Sequence, residues 1–174
     1  MQKTMSTKRE RIAVTPNREW HFNARDIVPL AWWRTLPFDM LRDAEKLLLR
    51  ATLGRIEVLH GANAFRAALQ GDAAAAIAVA FALTPVEDFT LEVDIAMTAL
   101  LRCAAEGDSA AALVLANIVC RTEFEHGYAT ELSASWYAQH LDRSPYRRKF
   151  SDEETKLLAA LRERYAEVDR GEHA

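Results

Sequence analysis

A chain of 174 residues, half of them apolar, with only six glycines and five prolines, has the length of one domain and the composition of a helical globular protein. A net charge of −3 excludes bulk nucleic-acid binding, and two cysteines, Cys103 and Cys120, are too few and too far apart for a disulfide framework or a zinc module. No apolar run reaches membrane-spanning length and the first residues lack the apolar centre of a secretory signal, so no membrane is expected among the partners and the expected location is cytoplasmic.

Residues 1–18 mix Lys, Arg, Thr, Ser and Pro without periodicity and are expected to form a flexible basic arm ahead of a single helical domain over 19–170. An aromatic-rich segment follows, with Trp20, Phe22, Trp32, Trp33 and Phe38, broken by Pro29 and Pro37. Such rings act either as binding anchors or as a plug that folds back on the first helix pair. From Pro37 the spacing of Leu41, Ala44, Leu48 and Ala51 predicts a helix over about 37–53, closed by Gly54. A second helix runs from Ala62 to Gln70 and stops at Gly71, after which Asp72 caps the next. That helix ends near Thr84-Pro85, where Thr84 and Glu87 have the spacing of a capping box. Helices are then predicted over Leu91–Glu106, Ser109–Cys120 and Thr130–Leu141, the first two separated by Gly107-Asp108. Ser151 and Glu154 form another capping box before a helix over 151–168 with the apolar stripe Leu157, Leu158, Leu161, Tyr165 and Val168.

Two stretches, Ala67–Ala80 ("AALQGDAAAAIAVA") and Cys103–Ala116 ("CAAEGDSAAALVLA"), match at seven of fourteen positions and place Gly-Asp 36 residues apart. A period in the thirties made of two helices joined at glycine is the mark of an α-solenoid, and small side chains let paired helices approach closely. The expected fold is therefore all-α: a short solenoid of antiparallel helix pairs, with units at about 56–90, 91–127 and 128–150 and capping helices at 37–53 and 151–168.

Over roughly residues 56–142 the chain resembles the Sel-one-like repeats, relatives of the tetratricopeptide repeats, whose unit reads like "A..WY..AA..GD..A...LG". Ala104-Ala105, Gly107-Asp108, Ala111 and Leu115 carry the likeness, and Trp136-Tyr137 supplies the aromatic pair one unit later. Ala80 and Ala116 stand where that family has glycine, and its Gly-x-Gly-Val turn is missing. The resemblance implies a non-enzymatic adaptor, with first helices lining a concave groove that takes a peptide or helix of another protein.

Arg66 and Arg102 occupy matching positions on first helices and would line that groove, where paired guanidinium groups suit carboxylates on a partner. Trp32, Trp33, Trp136 and Tyr137 are the candidate apolar anchors, and the Trp-rich segment makes a homodimer a further expectation. The inter-helix connections carry an opposite feature, an acidic edge of Glu87, Asp88, Glu92, Asp94, Glu123, Glu125 and Glu131 that would favour a basic partner. No phosphate loop, nucleophile elbow or His-Glu-x-x-His is present. Cys103, Cys120, His126 and His140 lack the close paired spacing of a metal site, and Glu125-His126 reads as a solvated loop. No catalytic residue, cofactor or metal is expected. The alternative function is that of a small nucleic-acid-associated regulator, using Lys3, Lys8, Arg9 and Arg11 of the arm with the basic and aromatic stretch Tyr146–Phe150. Nucleic acid is the less expected partner.

Overall fold

The two Gly-Asp pairs close helices with the same hydrogen bonds. The computed structural model describes residues 19–58, 63–144 and 152–171. Among these, two 3-10 turns, Pro29–Arg34 and Phe38–Met40, precede α1 (Asp43–Gly54), α2 (Asn63–Leu69), α3 (Ala73–Ala82), α4 (Leu91–Ala105), α5 (Ser109–Arg121), α6 (Ala129–Arg143) and α7 (Asp152–Gly171), and no strand occurs. The chain is all-helical.

After α2, Gly71 has φ 97°, its N–H donates to Ala68 O at 3.0 Å, and Asp72 N–H donates to Ala67 O at 3.1 Å. After α4, Gly107 has φ 108°, its N–H donates to Ala104 O at 3.1 Å, and Asp108 N–H donates to Cys103 O at 3.1 Å. Both are Schellman turns, whose left-handed residue is glycine because a Cβ is strained there. Each aspartate then turns outward as an N-cap: Asp72 Oδ1 accepts from Ala75 N–H at 2.9 Å and Asp108 Oδ1 from Ala111 N–H at 2.8 Å.

Consecutive helices pack on one another from α2 to α6; α2 also touches α4, α3 touches α5, and α7 lies against α5 and α6. α5 is the centre, with every residue from Ala111 to Cys120 buried, whereas α3 buries only Ala76 and Ala80. Alanine at Ala76, Ala80, Ala111, Ala112 and Ala116 is fully buried, as close helix approach requires. α1 docks on α4 and on the first 3-10 turn.

Several local expectations are corrected. The predicted apolar face of the first helix, with Ala44 and Leu48, is exposed, and Leu49 and Leu53 are buried instead. Phe38–Met40 winds as a 3-10 turn and α1 begins only at Asp43, where the Glu45 carboxylate accepts from Arg42 N–H at 3.0 Å. The buried stripe therefore lies one residue later, about 100° around the helix. Thr84 and Glu87 form no capping box, because the next helix, α4, starts at Leu91, seven residues beyond Thr84. Thr84 Oγ1 donates back to Phe81 O at 2.8 Å, and Thr90 caps α4 by accepting from Val93 N–H at 3.2 Å.

Glu154, expected in a capping box with Ser151, is buried in α7 and faces His140 of α6 at 2.5 Å. His140 Nδ1 points at Ser109 O at 2.8 Å, and a carbonyl only accepts, so Nδ1 carries a hydrogen. The Nε2 to Oε1 contact then shares one proton and ties α7 to α6. Leu157 and Leu161 complete that contact, while the side chains of Tyr165 and Val168 and all of Ser151 lie outside the described residues.

Candidate functional site

The two arginines chosen from the repeat have different surroundings. Arg102 is held inside the fold: its Nη1 donates to Leu69 O, the end of α2, and its Nε to Glu106 Oε1, both at 3.0 Å. Glu106 also takes Arg50 Nε of α1 at 2.6 Å, so one carboxylate ties α1 to α4. Burial works against charge on Glu106, but the hydrogen bonds from Arg50 and Arg102 outweigh it and hold the carboxyl below its ordinary range. Arg66 stands exposed on α2 with no ion pair among the described residues. Next to Arg102, the Cys103 thiol points at Gly71 O at 3.6 Å, and burial pushes its pKa up to about 11 against the opposing charge of Arg102. Cys120 is likewise raised by burial, and both cysteines are free, buried thiols.

The aromatic anchors are core residues of this chain. Trp33 is fully buried and its Nε1 donates to Asp94 Oδ1 at 2.8 Å, 61 residues away; Trp32 donates to Ile27 O at 2.9 Å and Trp20 to Thr35 O at 2.7 Å. The segment covers α4 rather than plugging the first repeat pair, and it reaches α6 through Phe38, whose N–H donates to Ser135 Oγ at 2.9 Å and whose ring meets Trp136 edge-on at 5.7 Å. Trp136 is fully buried, and Tyr137, 8% exposed, stacks on His140 at 5.9 Å. Burial raises the Tyr137 phenol, with the Glu154 charge adding to it.

What remains open is an edge built by two inter-helix connections. Phe89 stacks on Phe124 with centroids 5.6 Å apart, Phe124 on His126 at 5.0 Å, His126 on Tyr128 at 5.5 Å, and Tyr128 on His21 at 4.0 Å. Phe124, His126 and Tyr128 alternate with Glu123, Glu125 and Gly127 along a connection that turns at residues 125–127, where Gly127 has φ 73° and its N–H donates to Phe124 O at 3.4 Å. His126 is locked: its Nδ1 accepts from Tyr128 N–H at 3.0 Å, so Nε2 carries the hydrogen and donates to Arg34 O at 2.7 Å. Arg34 lies 5.0 Å over the Phe89 ring and 3.3 Å from Asp94 Oδ2.

Asp94 is therefore engaged, as acceptor for Trp33 and Arg34. Glu87, Asp88, Glu92, Glu123, Glu125 and Glu131 are exposed and make no side-chain ion pair or hydrogen bond among the described residues. The ring ladder itself went unremarked in the sequence, although the alternation over Glu123–Tyr128 was its available signal.

The stretch Tyr146–Phe150 and the arm with Lys3, Lys8, Arg9 and Arg11 lie outside the described residues. Among the described residues no three His, Cys, Asp or Glu side chains group to hold a metal, and no helix is long and apolar enough to cross a membrane. No protein family, no curated protein and no solved structure matches this chain.

Proposed function

We propose that this protein is a non-enzymatic interaction module, a short Sel-one-like helical array that binds a basic segment of another protein along the edge formed by the 83–90 and 122–128 connections. Two observations support the repeat reading: Schellman turns 36 residues apart with the same bonds, and packing of each helix between α2 and α5 on its first and second neighbours.

The Phe89–Phe124 stack carries the choice of face. It brings Glu87 and Asp88 from one connection beside Glu123 and Glu125 from the other, where carboxylates without internal partners set up a negative field. The ladder's rings stack on one another and on Arg34, so they hold the two connections in place and leave the exposed carboxylates as the groups that meet a cationic partner. The Arg66/Arg102 pair has less to offer, since Arg102 is spent on Leu69 and Glu106.

A displayed library of random peptides selected on the purified protein tests the reading. Peptides rich in Arg and Lys are expected to enrich, with association slowing as salt rises, and the variant Glu87→Lys/Asp88→Lys/Glu123→Lys/Glu125→Lys is expected to lose them while Arg66→Glu keeps them. Enrichment of acidic peptides, or the same basic peptides on the reversed variant, overturns it.

A further inference from the structure

A cleft of about 490 Å3 lies between the end of α3, the C-terminal half of α5 and the start of α7, and Thr84, Pro85, Val86 and Thr122 of its wall come from the two connections that also carry the acidic edge. Phe81, Pro85 and Ile118 give it apolar wall. Asn117 lines it from α5; this residue is only 8% exposed, and its side-chain nitrogen has no hydrogen-bond partner. An amide buried without a partner costs about 1–3 kcal/mol, so one retained on the wall of a cleft marks a place where a partner is supplied from outside.

The neighbouring groups define that partner. Arg121 follows Asn117 by four residues, which puts both on one face of α5, so that Arg121 supplies the positive charge beside the amide. The hydroxyls of Thr84 and Thr122, also on the wall, donate to Phe81 O at 2.8 Å and Ile118 O at 2.7 Å, so they have no hydrogen to offer the cleft. None of the described residues lining the cleft is acidic. Donors and positive charge on one side with apolar wall on the other suit an amphipathic anion, and the volume lies in the range of small-molecule sites, about 300–1,000 Å3.

We propose that this cleft is a binding site for a small organic acid, a carboxylate carried on an apolar body. The carboxylate accepts from the Asn117 amide and pairs with Arg121, and the body lies against Phe81, Pro85 and Ile118. This site shares the 83–90 and 122–128 connections with the acidic edge but uses none of its carboxylates, and it makes the protein a sensor or carrier of such an acid in addition to its binding of a partner.

Isothermal titration of the full chain with sodium decanoate, kept below its micellar concentration, is the test, with decanol as the uncharged control. One saturable site per chain is expected, with decanol and the variant Arg121→Gln each weaker by about tenfold, the value of one charge-assisted hydrogen bond. Asn117→Leu is expected to weaken decanoate and to raise the melting temperature, because an unpartnered amide is replaced by a side chain of similar volume. Equal affinity for decanol and decanoate, full affinity in Arg121→Gln, or no saturable heat with decanoate overturns the proposal.

Discussion

The turns at Gly71-Asp72 and Gly107-Asp108 have the same backbone and different surroundings. The capping aspartates sit at φ −72°, ψ 112° and φ −72°, ψ 115°, as close as two copies can be. Around the first turn, α4 supplies a clamp: Arg102 binds Leu69 O, Cys103 reaches Gly71 O, and a Cβ on Gly71 would stand 3.0 Å from the Arg102 guanidinium. Around the second, a Cβ on Gly107 meets nothing within 4 Å. One period after Arg102 the chain has Ala138, which cannot clamp. The helices that follow the turns differ more: α3 buries two alanines and lies at the margin, while α5 is enclosed by α3, α4, α6 and α7. A repeated local code thus fixes where helices stop and start, and position in the array fixes how much each is worth.

The largest expected effect separates the two helices at one repeat position. Leu115 of α5 is fully buried, and Leu115→Ala is expected to cost about 2–5 kcal/mol in urea unfolding. The position 36 residues earlier, Val79, is half-buried, and Val79→Ala is expected to cost no more than about 1 kcal/mol. Equal losses would dissolve the contrast between margin and centre.

The glycines come next. Gly71→Ala and Gly107→Ala each force a Cβ into a left-handed backbone, a cost of about 1–2 kcal/mol. Gly71→Ala also displaces the Arg102 guanidinium from Leu69 and Glu106, so it is expected to be the worse of the two by thermal unfolding. If Gly107→Ala proves worse, the Arg102 clamp contributes nothing.

The caps sharpen the comparison from the side of likeness. Asp72→Ala and Asp108→Ala remove the same bond and are each expected to cost about 1 kcal/mol. Unequal values would mean that burial reaches the caps as well.

Smallest is a pH effect. The folded-state pKa of Glu106 is depressed, so its contribution is present at neutral pH and is lost as pH falls below the ordinary carboxylate range, through the folded value. The stability profile of Glu106→Gln is therefore expected to be flatter than wild type on the acid side. A parallel profile would remove Glu106 from the clamp around the first turn.

Helix ends were legible in the sequence where glycine stops and aspartate caps act within five residues of themselves: α2 and α4 end before Gly71 and Gly107, and α3 and α5 begin after Asp72 and Asp108, whereas the signal at Thr84 and Glu87 is not the cap of α4, which is Thr90. The all-helical class followed from the same signals. Which face of α1 is buried was not legible, since Leu48 and Leu49 are both leucine and only the packing of α1 on α4 chooses between them. Arg66 and Arg102 read alike as sequence, and their difference comes from their surroundings: Arg102 meets Leu69 O and Glu106, whereas Arg66 is exposed with no ion pair among the described residues. Asp94 likewise left the acidic edge through Trp33, a partner 61 residues away.

By itself, then, the sequence determined the helical class, the two Gly-Asp turns with their aspartate caps and the 36-residue echo between them, because those depend on bonds that close within a turn. The tertiary structure alone decided that the tryptophans are core, that Glu154 is buried on His140, that Phe89 and Phe124 bring two acidic connections together, and that Asn117 faces a cleft. Each of these needs groups from distant parts of the chain to meet, and no local propensity specifies which groups do.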